Sequence, residues 1–317
     1  MSEELLFDFE EKIFTNLSSL TLSQSELEER RICELSELAY EAAERSVNLF
    51  SSGMGVFDIL SVISESVSIP VGKVHDGAMN ILQKPLSHYL ETLSSLDKAV
   101  FSSLLVKRLA ERGIKITEQD FLSASKNDET FVYVKNPYAD EAYDVFSQEF
   151  DNPTVRYCKD FKEGLSMVGQ GAVGYCLLPL EDSGSRIKSV QELIFKGDFK
   201  ISAVTPVFGF DGNADMKYCL VSKNYFYPEF DEDDDRYLEL RLSKDRDTPL
   251  SDLLLVAESF GLDIFRVNSV DFVTDDGERA YYSVLIKNSD RDFLPLLIYI
   301  LLFTHECTPL GIYKNLE

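Results

Sequence analysis

The sequence predicts a multidomain protein of the mixed α+β and α/β classes, because three parts of the chain have three different patterns. Residues 1–125 show the spacing of amphipathic helices, whereas residues 131–224 alternate short apolar strands with short helices. Residues 236–317 follow the order βαββαβ. The chain has 317 residues, of which 44% are hydrophobic, and this is enough to bury the cores of two or three domains.

The first zone, residues 1–125, is predicted to be an all-α domain. Ser23 and Glu26 match a capping box at the start of a helix. The apolar residues that follow near helical spacing are Ile32, Leu35, Ala39, Ala42 and Phe50. Further helices are predicted over residues 56–66, 79–93 and 96–112, with a break around Pro70 and an end at RGIK, residues 112–115.

The middle zone, residues 131–224, is predicted to form a sheet covered by helices on its faces, because its apolar strands are separated by short helices. The predicted strands cover residues 131–134, 155–158, 174–180, 201–210 and 217–222. The predicted helices cover residues 140–150, 161–168 and 187–195.

The third zone, residues 236–317, follows the acidic run DEDDD. We interpret that run as a solvated linker, because it lacks the spacing, the glycine and the distal glutamate of an EF-hand loop. The predicted strands cover residues 237–243, 262–272, 281–287 and 310–313, and the predicted helices cover residues 249–261 and 292–306. This order is that of the split βαβ, or ferredoxin-like, fold.

The composition argues against several classes of function. The net charge of -24 argues against nucleic acid and anionic membranes as partners. No apolar run reaches the roughly 20 residues that a bilayer span needs. The start, MSEELLFDFEEK, lacks the order of a signal peptide, so a cytoplasmic protein is expected.

No metal site and no cofactor are predicted. The five cysteines are scattered and form no CxxC pair, which is typical of buried thiols in a reducing compartment. The three histidines lie near no cysteine and form no HExxH motif, which argues against a zinc site.

The segment LLPLEDSGS, residues 177–185, precedes a predicted helix and is a candidate ligand loop. In one interpretation the hydroxyl groups of Ser183 and Ser185 and the first amides of the helix bind a carboxylate. Arg186 and Lys188 would then add positive charge to the site.

A second interpretation gives the same segment a structural role. Asp182, Ser183 and Ser185 are all good N-caps for a helix that begins near Ile187. Glu181 beside them would repel an anion. The sequence leaves the two interpretations open.

The segment GLSMVGQGAVGYCLLPLEDSGSRIKSVQELIFKGDFKI resembles the prephenate dehydratase family, in which a Gly-rich run precedes a strand that ends in Pro-Ile-Glu-Asn-Ser. Residues 179–183 stand in that register. The last zone is similar to the family's C-terminal ACT regulatory domain, with TPLSDLLLVAESFGLDI, VNSVDF and LGIY in the places of its conserved stretches. The resemblance covers residues 131–317, and it implies a reduced periplasmic-binding-like lobe followed by a ferredoxin-like ACT domain.

The middle zone departs from the family where the resemblance places its chemistry. In the family, a Thr-Arg-Phe motif supplies the hydroxyl group that is implicated in dehydration. In this chain the matching positions are occupied by Met216, Lys217 and Tyr218. A thioether cannot donate a proton. Few residues separate the last two predicted strands, where the family has most of its second lobe. If catalysis survives, Lys217 and Ser183 are the candidate catalytic residues.

The resemblance of the last zone implies an aromatic amino acid or carboxylate ligand at the interface of a homodimer. The residues at the matching positions are Pro249, Leu250, Ser251, Asn268 and Ser269. The chain lacks the family's loop glycine and its arginine and proline, which argues against phenylalanine itself. A purely structural, dimer-forming role is the alternative.

Two functions follow from these features. The first is a non-catalytic prephenate dehydratase-like protein that senses or scaffolds, linked to aromatic amino-acid biosynthesis. The second is a divergent dehydratase that converts prephenate to phenylpyruvate, with a chorismate mutase-like helical domain ahead of it as in some relatives. The missing hydroxyl and the single lobe favour the first.

Overall fold

The computed structural model describes residues 26–44, 46–47, 68–75, 78–85, 92–121, 128–208, 216–225, 230, 234–244, 249–274, 277–288, 292–304 and 307–316. These ranges do not include Ser23, Phe50, Thr248 or the helix predicted over residues 56–66. The chain divides into two compact units, residues 1–115 and residues 116–317.

The first unit contains a β-hairpin, so the prediction of an all-α domain is wrong. Strands β1 (Ser68–His75) and β2 (Ala78–Pro85) pair antiparallel where a break and a helix over residues 79–93 were predicted. Three β-branched residues in SIPVGKVH favour extended backbone. The register pairs His75 with Ala78 and leaves Asp-Gly between the strands, a pair that two-residue hairpin loops favour.

Two helices of the first unit bury apolar residues and are linked by polar side-chain contacts such as that of Arg108 with Ser36. They are α1 (residues 26–44) and α2 (Ser95–Glu111), and the second confirms the helix predicted over residues 96–112. A capping box of Ser94 and Asp97 starts α2, and Gly113, with φ of 79°, ends it. The buried residues of the two helices include Leu35, Leu38, Ala39, Ala42, Phe101, Leu105 and Leu109.

The first sheet of the second unit has six strands, in the order β4-β3-β5-β8-β7, with β6 beside the end of β5. The strands are β3 (Thr130–Tyr133), β4 (Thr154–Tyr157), β5 (Tyr175–Asp182), β6 (Ser185–Arg186), β7 (Lys200–Val207) and β8 (Met216–Ser222). Strand β3 runs parallel to β4 and β5, and β8 runs antiparallel to β5 and β7. The five predicted strands of the middle zone are confirmed within a few residues.

The helices of this part of the chain cover both faces of the first sheet. They are α4 (Pro137–Phe146), α5 (Phe161–Gly169) and α6 (Lys188–Lys196), and the short helix α3 (Glu118–Phe121) precedes the sheet in the chain. Tyr175 and Leu177 of β5 share one core cluster with α4, while Cys176 and Leu178 share the other with α5 and α6. This alternation explains why β5 is apolar at successive positions.

Helix α4 begins three residues before its predicted start at Asp140. Asn136 is its N-cap, with the Oδ1 atom accepting a hydrogen bond from the Ala139 amide at 3.0 Å. Pro137 follows at the first helical position, where its fixed φ is favourable and its missing N–H costs nothing.

The second sheet has four antiparallel strands in the order β10-β11-β9-β12. Its elements are β9 (Arg236–Ser243), α7 (Leu250–Ser259), β10 (Asp263–Thr274), β11 (Gly277–Asn288), α8 (Leu294–Phe303) and β12 (Cys307–Tyr313). The order along the chain is βαββαβ, and each of these elements overlaps its predicted range.

The two sheets share a core and a backbone connection. One buried cluster includes Leu178 of the first sheet and Leu285 of the second. Residues 314–316, which follow β12, add to the edge of β7: the Leu316 amide donates to the Val204 carbonyl at 2.8 Å. The ranges 131–224 and 236–317, predicted as separate domains, therefore lie in one compact unit.

The boundary between the units lies at residue 115, before the predicted end of the helical domain at residue 125. The physical reason is Glu118, a buried residue of α3. Its carboxylate pairs with Arg236 and accepts a hydrogen bond from the Phe293 amide at 2.6 Å, so α3 belongs with the second sheet.

The end of the acidic run is not a solvated linker. Asp234 pairs with Lys314 at 2.8 Å, and Asp235 pairs with Lys287 at 2.6 Å. Both aspartates therefore fix the entry into β9 against the second sheet.

The five cysteines are free thiols that differ in how exposed they are. Cys176, Cys219 and Cys307 are buried, as predicted, and burial raises the pKa of Cys307 to about 12. Cys158 is half-buried, whereas Cys33 on α1 is exposed, so the prediction of a buried thiol is wrong there.

Gly311 on β12 is expected to be essential for stability. A Cβ atom there would lie 1.9 Å from the Ile201 carbonyl oxygen of β7, and backbone atoms cannot move aside. We expect Gly311→Ala to lower the free energy of unfolding by about 3 kcal/mol, measured by urea denaturation. Gly169→Ala is the matched control, because its Cβ would meet only ordinary contacts at 3.7 Å. Equal stability of the two variants would contradict the close approach of the strands.

Candidate functional site

The segment LLPLEDSGS forms a tight β-hairpin. In the register of β5 and β6, Glu181 lies opposite Arg186 and Asp182 lies opposite Ser185. Ser183 and Gly184, which connect the strands, have φ of 48° and 76°. Two successive positive φ values are typical of the type I′ turn, whose twist matches that of paired strands.

The interpretation of this segment as an N-cap is wrong. Helix α6 begins at Lys188, and its N-cap residue, Ile187, makes no side-chain capping hydrogen bond. Asp182 and Ser185 are instead paired with each other in the hairpin, and the Ser183 hydroxyl donates to Asp182 Oδ1 at 3.1 Å. Ser183, Ser185 and Lys188 are exposed, and their binding of a ligand stays a prediction.

Arg186, the cation of the predicted ligand loop, is directed into the protein. Its side chain is only 4% exposed. The Nε atom lies 3.2 Å from Glu181 Oε1, and Nη2 donates to Glu239 Oε2 at 2.9 Å. Burial by itself would lower the pKa of Arg186, but its interactions with Glu239, Tyr313 and Glu181 together outweigh burial and raise the pKa. Arg186 is therefore a permanent cation that is already paired.

The partners of Arg186 belong to a larger group of polar side chains between the sheets. We call it the inter-sheet charge cluster, and its members are Glu181, Arg186, Glu239, Arg266, Ser283 and Tyr313. Glu239 accepts hydrogen bonds from Ser283 at 2.9 Å and Tyr313 at 2.8 Å, and Glu181 accepts one from Arg266 at 2.6 Å.

The inter-sheet charge cluster has balanced charge. Its two guanidinium groups face two carboxylates, and Arg266 also donates to the Gly184 carbonyl at 3.3 Å. Burial and the Glu239 charge raise the pKa of Tyr313, so its phenol stays protonated and donates. No net positive charge is left in the cluster to attract a carboxylate ligand.

Two donors of the cluster have no hydrogen-bond acceptor. Arg186 Nη1 and Nε are both buried without a hydrogen-bond partner in the part of the chain that the structure describes, although Nε lies within ion-pair distance of Glu181. A buried guanidinium N–H that lacks an acceptor is costly, and an ordered water molecule is its usual partner. Both atoms belong to a side chain that is already paired with two carboxylates, which is consistent with a structural role.

The candidate catalytic residues lie at the same end of the first sheet. In the register of β5 and β8, Lys217 is opposite Glu181 and Met216 is opposite Asp182, next to the turn that contains Ser183. The Met216 side chain packs against the core cluster under α4. The structure therefore places Lys217 and Ser183 at the same end of the first sheet, and their role in catalysis stays a prediction.

Tyr218, next along β8, is held by the start of α4. Its hydroxyl donates to Asn136 Oδ1 at 3.3 Å, the atom that also caps the helix. Burial is the main cause that raises the pKa of Tyr218. Sequence reasoning missed this pair, although Asn before Pro137 is a signal for a helix start.

The candidate ligand residues of the second sheet occupy two elements. Pro249 is the N-cap of α7, Ser251 is exposed in its first turn, and Leu250 is half-buried. Asn268 is half-buried on β10, and Ser269 is exposed on the same strand. Their convergence on one ligand in a dimer stays a prediction.

Ser269 already has polar neighbours. Its hydroxyl accepts a hydrogen bond from Lys244 Nζ and donates to Asp271 Oδ2 at 3.0 Å. Lys244 also pairs with Asp271 at 2.6 Å, and the hydrogen bond from Lys244 lowers the pKa of Asp271. A ligand at Ser269 would have to join or replace this exposed group.

The described residues lack two further features, a metal-binding group and a membrane-spanning helix. No group of three or more His, Cys, Asp or Glu side chains there could hold a metal ion. None of the helices in the described ranges combines the length and the hydropathy that a membrane crossing requires.

Comparison with known proteins gave only distant matches. No family model and no curated protein matches the chain. A prephenate dehydratase from Streptococcus mutans is 15% identical, with a TM-score of 0.47 over 59% of this chain and 99% of that one.

Two other solved structures match to a similar extent. GqqA, described as a novel type of quorum quenching acylase, is 17% identical, with a TM-score of 0.43 over 60% of this chain and 96% of that one. A prephenate dehydratase from Arthrobacter aurescens in complex with L-Phe is 12% identical, with a TM-score of 0.42 over 59% and 90%. These TM-scores are below 0.5, and nothing about activity follows from them.

The buried ion pairs are expected to be strongly coupled. Arg186→Met leaves the buried Glu239 carboxylate without its cation and leaves Glu181 with Arg266 alone, so we expect the free energy of unfolding to fall by about 3–5 kcal/mol. A double-mutant cycle with Glu239→Gln should give a coupling energy of at least about 1 kcal/mol. The exposed pair Lys244 and Asp271 is the control, and Lys244→Met should cost less than about 1 kcal/mol. Similar losses at both pairs would contradict the proposed importance of burial.

Proposed function

We propose that this chain is a non-catalytic prephenate dehydratase-like protein that senses a small carboxylate or scaffolds a partner. It would combine a one-lobe dehydratase-like domain, residues 131–224, with an ACT-like domain, residues 236–317, in the cytoplasm and in aromatic amino-acid metabolism. The observation that carries the proposal is the inter-sheet charge cluster, because it turns Arg186, the cation of the candidate ligand loop, inward as a structural contact.

A dehydratase needs a proton donor, and this chain has none at the position of the family's hydroxyl group. Met216 stands at the position of the family's hydroxyl and packs in the core. Tyr218 has a hydroxyl group, but its pKa is raised by burial and it is bonded to Asn136. A general acid must reach the leaving group and release a proton near neutral pH, and neither side chain meets both conditions.

The second sheet supports the homodimer in this proposal. One of its edges, β12, contacts β7 of the first sheet. The other edge, β10, is 12 residues long and pairs only with β11 among the described strands. Phe265, Val267 and Val273 on β10 are 50%, 37% and 67% exposed. Long edge strands with exposed apolar side chains tend to pair, and pairing with a second copy is the simplest way to cover this one.

The dimer would complete the proposed ligand site. The start of α7, with Pro249, Leu250 and Ser251, would face Asn268 and Ser269 on β10 of the neighbouring copy. A zwitterionic aromatic amino acid fits this polar edge, because hydroxyl, amide and backbone groups can bind its carboxylate and its amine. The ligand class rests on the family resemblance.

The alternative is a divergent prephenate dehydratase that makes phenylpyruvate. The observation in its favour is that Lys217 and the exposed Ser183 lie at one end of the first sheet. A chorismate mutase-like role of the first unit has less support. Arg108 donates to Ser36 at 2.8 Å, and Arg112 pairs with Glu44, so both arginines hold α1 and α2 together.

The edge strand provides a test of the dimer. We expect the full chain to be a dimer by light scattering, and Val267→Lys with Val273→Lys to make it monomeric, because a buried lysine pair opposes strand pairing. Ile32→Lys, at an exposed site on α1, is the matched control and should leave the mass unchanged. A monomeric wild-type chain would contradict the proposed dimer.

Thermal unfolding against a ligand panel tests the proposed function. The panel holds phenylalanine, tyrosine, tryptophan, prephenate, chorismate and phenylpyruvate. At 100 times its Kd, a ligand that binds only the native state stabilises it by about 2.7 kcal/mol. We expect an amino acid to raise Tm, and Ser251→Ala with Asn268→Ala to remove the shift.

Two control measurements separate the alternatives. Lys217→Ala with Ser183→Ala should leave the amino-acid shift unchanged, because these residues lie on the first sheet. Formation of phenylpyruvate from prephenate by the wild-type chain, and its loss in that double variant, would establish the dehydratase in place of the sensor.

A further inference from the structure

A groove on the second unit has a charge opposite to that of the chain. It has a volume of about 460 Å³ and lies between α5 and α6. Leu165, Leu193 and Phe199 are its apolar lining residues. Gly197 leaves room for the Phe199 ring, because a Cβ atom there would lie 2.0 Å from it.

The charged residues that line this groove are all lysines. Lys162 lies in the first turn of α5, Lys196 ends α6, and Lys223 follows β8. No aspartate or glutamate is among the lining residues, although the chain has 55 acidic and 31 basic residues. The groove is thus a local reversal of the overall charge.

Two of these lysines have no ionic partner within the described ranges. Neither Lys162 nor Lys223 forms a salt bridge with a described residue, and both are exposed. Lys196 is 4.0 Å from Glu192 and lies over the Phe272 ring at 5.1 Å. Arg186 and Lys314, by contrast, are paired with carboxylates.

We propose that this groove, the lysine groove, binds an acidic peptide segment of a partner protein that inserts at least one apolar side chain. Three cations from three elements match several carboxylates along an extended segment. The apolar residues Leu165, Leu193 and Phe199 match a leucine or phenylalanine side chain between those carboxylates.

A peptide fits the lysine groove better than a nucleic acid does. The phosphates of a nucleic acid extend beyond any short contact, and the net charge of -24 would repel them along the rest of the surface. A short acidic segment places its carboxylates only at the groove. At physiological ionic strength the Debye length of about 8 Å screens the more distant acidic surface.

The lysine groove can be tested with a defined probe. Fluorescence anisotropy of the fluorescein-labelled peptide EDLFEDLFED is measured with the full chain. We expect saturable binding that weakens about tenfold or more in Lys162→Glu with Lys223→Glu and also weakens at high salt. Lys107→Glu with Lys115→Glu changes the net charge equally at exposed sites of the first unit, and it should bind like the wild type.

Several results would overturn the proposal. They are the absence of saturable binding, equal weakening in the control variant, and equally tight binding of QNLFQNLFQN, which lacks the carboxylates. Displacement of the probe by a single-stranded RNA at lower concentration would assign the groove to nucleic acid instead. If thermal unfolding shows that the glutamate variant is not folded, Lys162→Gln with Lys223→Gln replaces it, and unchanged binding there would also overturn the proposal.

Discussion

The ion pairs of Arg186 with Glu181 and Glu239 fix the arrangement of the second unit. Charges buried between two sheets lose their hydration, and only close pairing with full hydrogen bonding compensates that cost. If the β5–β6 hairpin moved away from β9, Glu239 would keep Ser283 and Tyr313 but lose its cation. The left-handed conformations of Ser183 and Gly184 follow from this requirement, because the tight turn brings Arg186 back to Glu181.

The apolar core and the backbone pairing between the two sheets of the second unit are consistent with the same arrangement. The apolar cluster that contains Leu178 and Leu285 is continuous across both sheets, and the chain after β12 adds to β7 through Val204 and Leu316. Gly311 permits the close approach of β12 to β7 that this pairing needs. The polar cluster selects one relative position of the sheets, and the apolar core stabilises that position.

The elements of the second unit could be predicted because their signals are local. The apolar run of β5 and the βαββαβ order beyond residue 236 are visible in the sequence, and the structure has both. The role of Asp-Ser-Gly-Ser could not be predicted, since its residues suit an N-cap and a hairpin turn equally. The partner that decides the role of this segment, Glu239, is 53 residues away from Arg186 in the chain. A local sequence pattern does not predict that two residues this far apart form an ion pair.

The other errors had signals that pointed the right way. Asp-Gly after the β-branched segment SIPVGKVH indicates a hairpin, and this signal outweighs the helical spacing of residues 79–93. Asn136 followed by Pro137 marks the true start of α4. The exposed Cys33 shows the limit of composition alone, because the side of a helix that a thiol faces depends on which neighbour packs against it.

The placement of the basic residues connects the electrostatics to the choice of ligand. Arg186, Arg236 and Arg266 pair with carboxylates in the second unit, and Arg241 pairs with Asp198 at 3.0 Å. Little positive charge is therefore left for an anionic ligand at the candidate ligand loop, in a chain whose net charge is -24. A zwitterionic amino acid has no net charge and is not repelled, whereas a dianion such as prephenate needs an excess of cations at its site. The electrostatics therefore favour an amino-acid sensor over a dehydratase.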